Sequence, residues 1–226
     1  MIPALEVLSY SGITSYAHHS MLRTASAGRY PWQIFEGLSP DACVGRARSA
    51  LATRVLDSPH IDVLLMVDHD VSWREGDAEH IVELAHEREG VVGGLVSKRA
   101  HKQGFGGRLV DSEQLEIGSR QVVELPEDAY LGGAFMAFSR KVIEKLADVL
   151  PRTRDGIVPA FLPILKHNPR IDCVEWLSED WAFCHAARLV NAPVLLTMHP
   201  VLAHWSGVNG YTPIEGNPGP AIMGAK

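Results

Sequence analysis

The chain has 226 residues, and domains typically run to about 100–200 residues, so one α/β domain is the default reading. A composition of 46% hydrophobic and 21% charged residues excludes a disordered chain. A net charge of −6, from 21 Lys+Arg against 27 Asp+Glu, excludes a broad basic surface for unspecific nucleic-acid binding, though not a local basic cleft. Cys43, Cys173 and Cys184 are odd in number and widely spaced; they make neither a disulfide framework nor a zinc motif and point to a reducing, cytoplasmic compartment. The opening "MIPALEVLSYSG" lacks the basic and long apolar regions of a secretory signal. The longest apolar run, near "IDVLLMVD", falls far short of the about 20 apolar residues that span a bilayer. A soluble protein is expected, meeting a membrane only peripherally.

In chain order, "ALEVLSY" (4–10) reads as a buried strand and 14–27 as a helix with Thr14 at its N-cap. "PWQIFEG" (31–37) reads as a second strand. Asp41 is the expected cap of a helix to Leu56, with Val44, Ala47, Leu51 and Val55 on one face. "DVLLMVD" (62–68) has the unbroken apolar run of a parallel strand covered on both sides. A helix over 75–88 and a strand over 91–97 follow, and this alternation implies a parallel sheet with helices packed on its faces. Residues 100–121 read as a hairpin or mobile loop, 128–139 as strand and 139–149 as helix. The proline-rich stretch 151–172 reads as an irregular excursion that shapes an acceptor pocket. A helix over 178–190 capped by Ser178, a strand over 193–199 and a Gly- and Pro-rich tail from Trp205 complete the chain; the tail is either a disordered end or a flexible lid.

The sharpest constellation is "LLMVDHDVSW". Side chains two apart in extended chain point the same way, so Asp68 and Asp70 are expected to face one side with His69 turned away. Ligands of open α/β sheets bind at the carboxyl ends of strands, and two carboxylates there suit a hard divalent cation. The same acids also suit a solvated loop, one of them capping the next helix. In "SEDWAFCHAAR", Glu179 and Asp180 open a helix, where the macrodipole alone favours acids by about 0.3–1 kcal/mol; one of them is equally a candidate general base. His204 in "LAHWSG" reads as a packed or surface histidine, or as an imidazole completing a metal site that would then favour Mn²⁺ over Mg²⁺. Arg46 and Arg48, with Lys98 and Arg99, either form a phosphate cleft or sit on solvated faces. Arg46 and Arg48 do not share a helix face, so only one is expected to point inward. Gly132 and Gly133 allow close approach of backbone to a ligand, or mark a bulge.

Taken in order, these segments resemble the GT-A glycosyltransferases, and within them the broad family-2-like group of bacteria and phages. The resemblance runs over most of the chain: "SYSG", "RARSAL" (with Ser49 where relatives often carry Asn), "MVDHDVSW", "GGLVSKR", "GGAFMAFSR", "SEDWAFCHAAR" and "AHWSG". It implies a GT-A, Rossmann-like α/β fold: a mostly parallel twisted sheet with helices on both faces and a small irregular acceptor region. It also implies a single domain, residues 1–226, with a nucleotide-binding half (1–99), an acceptor and catalytic half (100–204) and a C-terminal lid (205–226). Asp68 and Asp70 would together bind the metal–diphosphate, with Mn²⁺ or Mg²⁺ as the metal, Asp70 as its direct ligand and Asp68 nearer the ribose, and His204 would be a third protein ligand. Asp180, with Glu179 beside it, would be the base of an inverting reaction. Ser9, Tyr10, Ser11, Glu36, Arg46, Arg48, His69 and Lys98 would bind the donor nucleotide, and Gly132 and Gly133 would lie beside the donor sugar. The implied activity is metal-dependent transfer from a nucleoside-diphosphate sugar to an acceptor hydroxyl on a glycan, lipid-linked glycan, protein or modified base. Nucleotidyl transfer, and a non-catalytic sugar- or nucleotide-binding module, are the alternatives.

Overall fold

The apolar run Val63–Val67 has no exposure at all, so both faces of its strand must be covered. The computed structural model describes residues 1–8, 13–35, 43–96, 107–108, 118–168, 172–206 and 209–211. Its elements, in order, are β1 (Pro3–Leu8), α1 (Ser15–Ser26), β2 (Gln33–Ile34), α2 (Val44–Asp57), β3 (Val63–Asp68), β4 (Val71–Ser72), α3 (Asp77–Glu87), β5 (Val91–Val96), β6 (Gly107–Arg108), β7 (Val122–Glu124), β8 (Tyr130–Leu131), β9 (Phe135–Ser139), α4 (Arg140–Val149), β10 (Ile164–Asn168), β11 (Cys173–Leu177), α5 (Glu179–Leu189), β12 (Val194–Ser206) and β13 (Asn209–Tyr211).

The main sheet runs β13-β12-β5-β9-β3-β1-β2, with β4 and β7 also paired to β12. β1, β2, β3, β5 and β12 share one direction, and β9 runs against them between β3 and β5. The expected mostly parallel α/β sheet is therefore present, with helices on both faces. Alternate residues of β3 feed two cores. Leu64 and Met66 pack with α2, α4 and α5, whereas Val63, Leu65 and Val67 pack with α1 and α3. Fully burying such aliphatic side chains stabilises by about 1.5–3 kcal/mol each. The reversal of β9 decides the site. Its start, not its end, lies at the carboxyl edge of β1 and β3, so the glycines before it arrive beside Asp68, whose N–H donates to Ala134 O at 2.9 Å.

Several boundaries differ from the sequence reading. The stretch 128–139 is two strands broken at Gly132–Ala134. The excursion 151–172 is not wholly irregular, because β10 and β11 pair as an antiparallel hairpin from Ile164↔Leu177 to Asn168↔Cys173. Prolines at its start masked the alternation that follows. The late strand does not stop at 199; β12 continues through Pro200 to Ser206, and Asn209–Tyr211 form β13. Trp205 and Ser206 thus belong to the sheet, and 212–226 lie outside the described residues. Helix α2 begins after Cys43, while Asp41 also lies outside them. Thr14 does cap α1, accepting from Ala17 N at 3.3 Å. No helix among the described residues is long and apolar enough to cross a membrane.

One buried group makes a large contribution to the pH dependence of stability. Glu6, in the middle of β1, is 1% exposed, and its Oε2 has no hydrogen-bond partner among the described residues. Burial pushes its carboxyl from 4.5 up to about 8, against a smaller opposing effect of Arg54. The folded chain therefore holds a proton that the unfolded chain gives up. Stability from this group is complete below pH 4.5 and is lost progressively as the pH rises to about 8. Glu6→Gln should flatten that slope and raise stability at pH 8 by an amount on the order of a few kcal/mol. Urea denaturation at pH 5 and pH 8 measures it; an unchanged slope in the variant would assign the effect to another group.

Candidate active site

The site is built at the carboxyl edge from the end of β3, the first half of α2, the loop before β9, the start of α5 and the end of β12. β3 ends at Asp68, and His69–Asp70 form a turn, so the strand rule that put both acids on one face stops there. Their contacts differ accordingly. Asp68 Oδ1 accepts from Arg48 Nη2 at 2.9 Å, whereas Asp70 Oδ1 stands 3.3 Å from His204 Nε2. His69 acts through its backbone. Its N–H donates to Leu8 O, and its carbonyl accepts from Thr14 N and Thr14 Oγ1, which ties the turn to β1 and to the start of α1.

Arg48 is the hub. Of Arg46 and Arg48 on α2 it is the one that points inward, at 3% exposure, while Arg46 is exposed and pairs with Asp155 at 2.8 Å. Besides Asp68, Arg48 donates to Glu179 Oε1 at 3.0 Å and to Gly133 O at 3.2 Å. One planar guanidinium thus joins the end of β3, the loop before β9 and the first turn of α5. A side chain at Gly133 would have to displace this guanidinium. A Cβ on Gly133 would lie 2.1 Å from Arg48 Nη1. Gly132, its neighbour, is half-buried in the same loop.

Asp180 is held by three donors. Its Oδ1 accepts from Ser178 Oγ and from Trp181 N at 2.9 Å, and its Oδ2 accepts from Gly133 N at 3.0 Å. The carboxylate is fixed in orientation, and Oδ2 retains a lone pair for a further proton or hydroxyl. Ser178 is the N-cap residue of α5, as the sequence indicates, but its hydroxyl donates to Asp180 instead of accepting from a backbone N–H of the first turn. Ser49, one position on from Arg48, ties two elements together. Its hydroxyl donates to Gly45 O at 2.7 Å and accepts from Phe161 N at 3.0 Å, which fastens the segment before the β10–β11 hairpin to α2.

His204 lies on the last part of β12, opposite Val71 of β4, with a side chain 13% exposed against 6% for Asp70. Their separation can be tested against a shared cation. Two ligands at right angles on an ion with bonds of about 2.1 Å stand about 3.0 Å apart, so 3.3 Å between Asp70 Oδ1 and His204 Nε2 fits both ligating one ion. No group of three His, Cys, Asp or Glu able to hold a metal occurs among the described residues. The structure thus brings together Asp68, Arg48, Gly133, Glu179 and Asp180 in one hydrogen-bonded chain, and Asp70 with His204 in a pair at the same strand end. Arg46 stands outside both. Ser9, Tyr10, Ser11, Glu36 and Lys98 lie outside the described residues.

This architecture is that of a GT-A-like α/β fold. No protein-family model matches the sequence, and no protein of curated function matches it by sequence. Among solved structures, the chain is similar to A197 from STIV, with 18% identity, a TM-score of 0.62 and coverage of 94% of this chain and 91% of that one. It is also similar to GalNAc-T7 crystallised with UDP, GalNAc and Mn²⁺, at 11% identity and a TM-score of 0.52, covering 100% of this chain and 46% of that one.

Proposed function

We propose that this protein is a glycosyltransferase, family-2-like, which moves a sugar from a nucleoside-diphosphate sugar to an acceptor hydroxyl. The observation that carries the reading is the Arg48 bridge, which joins the Asp68 strand end to the Glu179–Asp180 helix start through hydrogen bonds of 2.9 and 3.0 Å. A donor group and a base group are useful together only if one scaffold holds both within reach of one substrate. The similarity to a structure holding UDP, GalNAc and Mn²⁺ supports it at the level of fold.

Asp70 and His204 would hold Mn²⁺ or Mg²⁺, which when bound supplies Lewis-acid neutralisation of the leaving diphosphate. Asp180 takes the acceptor proton at Oδ2 as the hydroxyl attacks the anomeric carbon with inversion. Gly133 N and Ser178 Oγ keep that carboxylate aimed. Arg48 offsets one of the two negative charges of Asp68 and Glu179, so that the diphosphate meets a weaker negative field.

The test is a panel of uridine, guanosine and thymidine diphosphate sugars with and without Mn²⁺. A matching donor at a hundredfold excess over its Kd should raise the melting temperature by about 5 °C or more, and do so only with Mn²⁺. Turnover should release the nucleoside diphosphate, and Asp70→Ala should abolish both the Mn²⁺ dependence and the turnover. Release of pyrophosphate would identify nucleotidyl transfer instead, and binding with no turnover in any pairing would leave a binding module.

A further inference from the structure

β12 is the strand that delivers His204, and it carries an irregularity five residues upstream. It pairs in parallel with β5 from Val194↔Val91 to Thr197↔Gly94 and resumes at Val201↔Leu95, so Met198, His199 and Pro200 face no residue of β5. Bulges of this kind bend a strand and re-aim the side chains beyond it. Beyond this one, β12 pairs with β5 at Val201 and Leu202 and then with β4, placing Ala203 opposite Ser72 and His204 opposite Val71. A slip of one residue there would turn His204 to the other face of the sheet.

The bulge is held by side chains outside the active site. Thr197, fully buried, donates its hydroxyl to His199 O at 2.6 Å and accepts from His199 N at 3.3 Å. His80 Nε2 lies 3.2 Å from the same hydroxyl. His199 Nε2 stands 3.3 Å from Asp77 Oδ1, and the other oxygen of Asp77, a residue 2% exposed, accepts from Arg74 N at 2.7 Å. Asp77 opens α3, only seven residues after Asp70. The short segment from Asp70 to Asp77 is therefore fastened to β12 at both ends: by Asp77 to His199, and by Asp70, whose carbonyl accepts from Trp205 N at 2.8 Å, next to His204.

We propose that Asp77, His199 and Thr197 form a register clamp, positioning residues that lock the bulge of β12 so that His204 is held beside Asp70. Its use in the reaction rests on the cation reading above; the clamp itself rests on these hydrogen bonds. They act through the strand and touch no substrate.

The experiment compares wild type, Asp77→Ala, the conservative Asp77→Asn and a core variant remote from the site, Val142→Ala. Two quantities are read: amide hydrogen exchange at Trp205 without metal, and the affinity for Mn²⁺ alone by electron paramagnetic resonance. Asp77→Ala should speed exchange at Trp205 by about tenfold or more relative to Val142→Ala, by opening the end of β12 locally. It should also weaken Mn²⁺ binding by about tenfold, as loss of an outer support of a metal ligand does. Asp77→Asn keeps an oxygen for Arg74 N and a donor for the imidazole, and should restore both. If Asp77→Ala does not fold, His199→Ala makes the same comparison. Exchange at Trp205 no faster than in Val142→Ala overturns the clamp. Faster exchange at Trp205 in a protein whose wild type binds no Mn²⁺ upholds the clamp and removes the cation reading.

Discussion

Asp180→Asn is expected to lower turnover by about 10²- to 10⁴-fold, the usual contribution of a positioned general base, while donor affinity stays near that of wild type. The amide cannot take a proton. Its oxygen can still accept from Ser178 Oγ and Trp181 N, so the side chain keeps its place at the start of α5. Its nitrogen would then face Gly133 N–H, donor against donor, at a cost of about 1–3 kcal/mol for the unsatisfied groups. A modest fall in stability therefore accompanies the loss of turnover. Single-turnover rates together with donor binding by calorimetry separate the two effects. A near-normal rate in Asp180→Asn would move the base to another residue, with Glu179 the nearest candidate.

Arg48→Met should be destabilising by about 3 kcal/mol, the low end of the range for removing one partner of a buried ion pair. The low end applies because Asp68 and Glu179 retain side-chain exposures of 29% and 25%, which lets water screen part of the repulsion left behind. Methionine fills most of the volume, so the loss reports charge and hydrogen bonds rather than a cavity. Activity should disappear with it, because nothing else on the described residues ties Asp68 to Glu179. Arg48→Lys should rescue stability only in part: an ammonium is a point charge and cannot reach two carboxylates and Gly133 O from one plane. Urea titration gives the stability, and an unfolding midpoint equal to that of wild type would show that the bridge carries no structural weight.

The local elements were legible where one physical signal dominated. Val63–Val67 announced a doubly covered strand through unbroken hydrophobicity, Thr14 announced a helix start through its hydroxyl, and the β/α alternation announced the layered sheet. Legibility failed where a signal was interrupted or non-local. Prolines before Ile164 hid the β10–β11 hairpin, and the strand read over 193–199 runs on to Ser206 through a bulge. Arg46 and Arg48 were known to diverge, but which one turns inward depends on the rotation of α2 against the sheet.

From the sequence alone came the chemistry available to this protein: two acids closing a strong strand, an acid pair opening a late helix, an imidazole far downstream, and a glycine pair beside them. Those follow from local backbone preference and side-chain type, which act over a few residues. Only the tertiary structure decided their partnership, giving Asp68 to Arg48 and Glu179, Asp70 to His204, and Asp180 to Gly133 and Ser178. Such pairings join residues up to 134 positions apart, and they are set by the reversed direction of β9 and the bulge of β12, which no run of neighbouring residues encodes.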